Sequence, residues 1–155
     1  MRIGIIVHSQ TGNTLSVAEK LGTALEKKGH KVTVERVTAQ EQSPGSQKPV
    51  TLMTIPKVEE LDAVIFGSPV WGFSLTPVMK AYLNQLPALS KIKTACFVTQ
   101  QFPMAWMGGT RTLGQMREIL AAKHGDIKGI GIVNWSRKDR EQQIEKVAAD
   151  LSALF

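Results

Sequence analysis

Two runs in this chain are apolar almost without a break: Ile3-Gly4-Ile5-Ile6-Val7, and Ala63-Val64-Ile65-Phe66-Gly67 after Asp62. A strand with one wet face alternates apolar and polar residues. A strand without alternation needs cover on both faces, the situation of a parallel sheet between helices. Helical patterns follow. Leu15, Ala18, Leu21, Gly22 and Leu25 share one face of a segment from about Asn13 to Lys28 that Gly29 ends. The first strand spans about Arg2 to His8.

The alternation continues. Lys31 to Val37 reads as a second strand, imperfectly patterned and so nearer a sheet edge. Thr38 to Glu60 lacks a pattern: Ser43 to Pro49 is turn-rich, and only Val50 to Ile55 reads as a short extended piece. The third strand is Asp62 to Gly67. A helix capped by Thr76 with Pro77 in its first turn carries Val78, Met79, Tyr82, Leu83 and Leu86 inward and stops at Pro87. Lys93 to Thr99 is the fourth strand, and a helix runs from about Thr110 to His124-Gly125. Ile127 to Val133 is the fifth strand, and Asp139 to Ala153 the last helix. Strands alternating with helices predict an α/β fold, a doubly wound five-stranded parallel sheet, as one domain over residues 1–155. In such sheets ligands sit beyond the carboxyl ends of the strands.

The first such end carries Ser9-Gln10-Thr11-Gly12-Asn13-Thr14, with three hydroxyls, two amides, one glycine and no charge. Unbonded N–H groups and the dipole of a helix N-terminus favour an anion there, and Gly12 admits a positive φ or a close approach. Ser, Thr and Asn also serve as plain helix caps. Their density at the end of a first strand favours a phosphate.

The bulk composition narrows the remaining classes. Nineteen Lys and Arg against thirteen Asp and Glu give +6, but the charges are scattered and no nucleic-acid signature accompanies them. Cys96 is the one cysteine, which excludes an internal disulfide and reads as a small buried hydrophobe. No apolar run reaches transmembrane length and no secretory segment is visible, so a cytoplasmic location is expected. No metal cluster is expected. His30 and His124 fall at helix ends. His8 lies at the base of the first loop, the histidine nearest the strand ends.

Loops after the third and fourth strands add aromatic residues: Pro69-Val70-Trp71-Gly72-Phe73, and Thr99-Gln100-Gln101-Phe102 running on to Trp106, Gly108 and Gly109. Rings of this kind stack on flat conjugated systems. A phosphate grip beside two aromatic loops describes a site for a planar ring with a phosphate tail.

On these residues the chain resembles the flavodoxin-like FMN-binding family, in its short-chain form. Ser9 to Thr14 is similar to that family's phosphate loop, and Gly67-Ser68-Pro69-Val70-Trp71-Gly72 to its second flavin loop. Thr99 to Gly109 corresponds, less closely, to the third. The resemblance implies strand order 2-1-3-4-5, for which flavodoxin is itself the reference example. It implies FMN as cofactor, with its phosphate on the backbone of Gln10 to Thr14 and the hydroxyls of Ser9, Thr11 and Thr14. Trp71 would pack on one ring face and Phe102 or Trp106 on the other. Backbone near Gln100, Gln101, Gly108 and Gly109 would meet the pyrimidine edge, and the Gly72 region would offer a carbonyl to N5–H. Catalytic side chains are not expected, because the flavin carries the chemistry.

One feature departs from the family. Its electron carriers are acidic around the flavin, whereas Ser68 to Ser74 and Thr99 to Thr112 hold no Asp or Glu, and Arg111 is nearby. Two functions fit: electron transfer with a redox partner protein, and NAD(P)H-dependent reduction of quinones or other small acceptors. A flavodoxin-fold domain without flavin is the remaining reading. A phosphoacceptor receiver is excluded, since His8-Ser9-Gln10 and Phe66-Gly67-Ser68 lack the aspartates it needs. The exposed aromatics and the 38–60 segment leave room for a homodimer or a protein partner.

Overall fold

A computed structural model of the chain describes residues 1–41, 48–104 and 106–155. The parallel strands are β1 (Arg2–Val7), β2 (Lys31–Arg36), β5 (Ala63–Trp71), β7 (Lys93–Gln100) and β8 (Asp126–Asn134), in the order β2-β1-β5-β7-β8. That is the expected 2-1-3-4-5 arrangement. Registers run Ile5 against Val34 and Ile65, then Ile65 against Ala95. Helices α1 (Asn13–Lys27), α2 (Pro77–Asn84), α3 (Gly109–Ala122) and α4 (Arg140–Ser152) cover the sheet.

The continuous apolar runs divide between two cores. Ile3, Ile5 and Val7 pack with Val17, Leu21 and Leu25 of α1 and with Ile144 and Leu151 of α4. Ile6, Phe66 and Val98 point the other way, onto Met79, Tyr82 and Leu83 of α2 and Met116 and Leu120 of α3. Every residue from Ile3 to Ser9 is buried, which is the physical reason β1 cannot alternate. Cys96 is fully buried in the second of these cores, and burial pushes its thiol up to about 12. The edge strands β2 and β8 begin by alternating between exposed and half-buried residues, and β8 ends on the buried Val133 and half-buried Asn134.

Three local expectations change. Within the patternless segment, β3 (Thr38–Ala39) pairs antiparallel with β4 (Leu52–Thr54), the Thr38 and Thr54 hydroxyls meeting at 2.6 Å. Residues 42–47 of the turn-rich stretch, and Ala105 of the third loop, lie outside the described residues. The third strand does not end at Gly67. It continues through Pro69 and Val70 to Trp71 and pairs back on β6 (Ser74–Leu75), because Gln115 of α3 accepts from the Leu75 N–H at 2.8 Å and from the Ser74 hydroxyl at 3.0 Å. The helix after Pro77 ends at Asn84, short of Leu86. Among the described residues no helix is long and apolar enough to cross a membrane.

Candidate functional site

The three loops singled out in the sequence meet at one edge, beyond the carboxyl ends of β1, β5 and β7. The first is shaped by Gly12, which caps α1 in the left-handed region (φ +89°). Its missing Cβ would meet nothing within 4 Å, so the position asks for glycine by conformation and opens on free space. The Ser9 hydroxyl accepts from Leu15 N–H at 3.2 Å, and Ser16 N–H bonds Gly12 O. The N–H groups of Thr11, Gly12, Asn13 and Thr14 bond to no other group among the described residues. No acidic side chain stands in the first turn of α1. Four unbonded donors at a positive helix end form a cradle for an anion.

Thr14 ties this loop to the third. Its hydroxyl, fully buried, meets that of Thr99 at 2.9 Å. One of the two hydroxyls donates and the other keeps its proton for a further acceptor. Gln10 and Thr11 are exposed.

The second loop is a two-residue hairpin. Trp71 faces Ser74, and the residues between them, Gly72 and Phe73, have φ of +55° and +64°. Two successive left-handed residues match the twist of paired strands, but a phenylalanine there is strained. The Phe73 ring stacks on Phe102 of the third loop, centroids 5.0 Å apart and planes 11° from parallel. Gly108 fits beneath: a Cβ on it would stand 2.8 Å from the Phe73 Cα and 2.8 Å from Val70 Cγ1. Trp71 is partly exposed and Trp106 is 77% exposed.

The third loop is braced from behind through Gln100, singled out in the sequence, by Asn134 and Gln143, which carried no signal there. The Gln100 side chain is buried, and its amide nitrogen donates to Met104 O at 2.7 Å and to Asn134 Oδ1 at 2.5 Å. Asn134 in turn donates from its backbone to Gln143 Oε1 at 2.8 Å, and Gln143 donates to Asp139 at 2.8 Å. The hydrogen bond from Gln143, and then that from Arg137, hold the Asp139 carboxyl below its ordinary range. Gln100 Oε1 is buried without a partner among the described residues, an acceptor left for an N–H donor next to Gly109.

His8 occupies the junction of the first two loops. Its Nδ1 lies 2.9 Å from the Thr76 hydroxyl, which caps α2 by accepting from Met79 N–H. Ser68 Oγ is the more distant neighbour of the Thr76 hydroxyl, at 3.5 Å; with Thr76 donating to Nδ1, the His8 proton sits on Nε2. Burial first, and the Arg36 guanidinium second, lower its pKa to about 4, so the ring is neutral at ordinary pH. It stands edge-on to Trp71, centroids 5.3 Å apart. A cleft of about 600 Å³ opens here, walled by His8, Ser9, Gln10, Arg36 and Trp71 among others. Arg36, Thr76, Gln115, Asn134 and Gln143 were not legible as site residues. Only His8, by its place next to the loop, gave a signal.

The family model described as NADPH-dependent FMN reductase matches residues 1–136. The chain belongs to this flavodoxin-like, FMN-binding family. No functionally curated protein matches the sequence. Solved structures agree in fold. A flavodoxin of Streptococcus pneumoniae TIGR4 is similar at 16% identity and TM-score 0.70, with all of both chains covered. Flavodoxin 1 of Bacillus cereus is 17% identical with TM-score 0.70, over 99% of this chain and 96% of that one. The Trp repressor binding protein of Bacillus subtilis is 15% identical with TM-score 0.70, over 99% of each.

The residues fit the family's cofactor. The cradle at Gly12 suits a phosphate, the indole of Trp71 suits a flat ring, and the orphaned Gln100 acceptor suits a ring N–H. From Ala63 to Arg117 the chain has no carboxylate side chain, so nothing in the second and third loops repels a bound anion.

Proposed function

We propose that this protein is a redox protein that transfers electrons through the isoalloxazine of FMN, held by the residues named from the sequence. The phosphate lies on the backbone N–H groups of Gln10 to Thr14, with the hydroxyls of Ser9, Thr11 and Thr14 as further donors. Trp71, set by the hairpin that Pro69, Val70, Gly72 and Phe73 build, covers one ring face. Phe102 is already stacked on Phe73. Trp106 is therefore the free ring for the other face. Backbone at Gln100, Gln101, Gly108 and Gly109 borders the pyrimidine edge, while Thr99 locks the first and third loops together. Bound FMN supplies the chemistry, taking electrons singly or as hydride.

The observation that carries this reading is the set of four unbonded N–H groups around left-handed Gly12, facing loops without carboxylates. The donor and acceptor follow one of two patterns. A redox partner protein fits the flavodoxin-like architecture. NAD(P)H with a small acceptor such as a quinone is the second reading, favoured by the family match over residues 1–136. A cytoplasmic location accords with either.

An absorption spectrum before and after adding FMN tests the cofactor. A protein that stays colourless on mixing is a flavin-free domain of this fold. Anaerobic mixing with NADPH then separates the two patterns: fast bleaching marks a reductase, and slow bleaching marks a carrier reduced by a partner.

A further inference from the structure

The cleft beside His8 is not accounted for by the flavin reading. Its wall takes Ser9, Gln10 and Trp71 from the first two loops but nothing from the third, and continues along 36–41 instead. Its polar groups include two fixed donors. Arg36 Nη2 donates to the Ser9 carbonyl, and the rest of its donor fork has no partner among the described residues. His8 is held by Thr76 through Nδ1, and its Nε2 has no partner among the described residues although the residue is only 7% exposed. An imidazole N–H opening on the cleft beside a guanidinium suits an oxyanion. The rest of the wall mixes the polar Ser9, Gln10, Thr38 and Gln40 with an apolar side made by the Trp71 indole, Pro77 and Val78. Among the lining residues Glu41 is the one carboxylate. It is exposed, with no hydrogen bond or ion pair holding it in the cleft.

We infer that this cleft binds a small oxyanion carried on a flat apolar body, an aryl carboxylate or aryl phosphate, with Arg36 and the Nε2–H of His8 on the anion and Trp71 along the ring. The site adjoins that of FMN, sharing Ser9, Gln10 and Trp71 with it but nothing of the third loop, and both ligands bind at once.

The test is an NMR titration of the FMN-loaded protein with benzoate, with phenyl phosphate, and with acetate as the anion lacking a ring. Saturable shifts of the His8 and Trp71 ring signals are expected with either aryl probe, at least tenfold tighter than with acetate. The tighter of the two probes names the anion. Arg36→Gln should weaken binding at least tenfold, Arg36→Lys less, and His8→Phe several-fold. The inference is overturned if neither aryl probe gives a saturable shift, if acetate binds as well, or if Arg36→Gln binds like the parent protein. It is overturned equally if FMN displaces the probes competitively, since the cleft is then part of the flavin site. Flavin absorbance reads the cofactor separately. A chain that takes up no FMN can be titrated in the same way.

Discussion

Phe73 and Phe102 stack almost in parallel, 5.0 Å between centroids, and so fasten the second loop to the third. Phe73 makes this contact from a left-handed backbone (φ +64°) that a bulky residue enters at a cost. The stack and the loop geometry therefore support each other. Aromatic pairs contribute about 0.5–1.5 kcal/mol beyond their area. A double-mutant cycle of Phe73→Ala and Phe102→Ala, read by urea unfolding, should return a coupling energy in that range. Additive single effects would show that the rings act independently.

Gly108 is where the two loops come closest. An alanine there brings Cβ to within 2.8 Å of the Phe73 Cα, a backbone atom that cannot rotate away, at φ +119°. Gly108→Ala should destabilise the fold by about 1–3 kcal/mol, as overpacking does. It should also weaken FMN binding at least tenfold, measured by quenching of flavin fluorescence.

The neutral imidazole of His8 makes stability depend on pH. Its pKa falls from 6.5 to about 4 on folding, so the unfolded chain binds the additional proton. Stability from this group is complete above pH 6.5 and is lost as pH falls toward 4. The loss is at most about 3 kcal/mol. Unfolding free energies at pH 7.5 and 4.5 should therefore differ more in the parent protein than in His8→Phe. An equal difference in both would remove His8 as the cause.

His124 sits past the end of α3 with φ +63°, where its N–H bonds Ala121 O and Gly125 N–H bonds Leu120 O. This is the left-handed position that closes a helix, and glycine occupies it without the Cβ penalty. His124 is exposed, so little packing is lost. His124→Gly should raise stability by about 1 kcal/mol, visible as a higher melting temperature.

The loops around the proposed flavin carry no carboxylate, and one added there should disfavour the anionic reduced cofactor. Gln101 is exposed in the third loop. Gln101→Glu should shift the last reduction step negative by tens of millivolts, about 1 kcal/mol for a charge several ångströms away at partial screening. Potentiometric titration of both proteins reads it directly. A parent potential already very low would refute the idea that missing carboxylates ease this step.

The layers, the strand order through the family resemblance, and the phosphate loop were legible in the chain alone. Each is written locally: burial on both faces abolishes alternation in Ile3–Val7, and a helix start is marked by its own loop residues. Tertiary structure decided the rest. Trp71 became the end of a strand only because Gln115, forty residues on, holds Ser74 and Leu75. Phe102 found its ring partner in Phe73. His8 acquired its Nδ1 partner in Thr76, and Gln100 its support from Asn134 and Gln143. These pairings join residues far apart in sequence, whose side chains meet only after the sheet has brought the loops to one edge. No periodicity encodes them, because a hydrogen bond or a ring stack depends on positions a few ångströms apart in space, not on spacing along the chain.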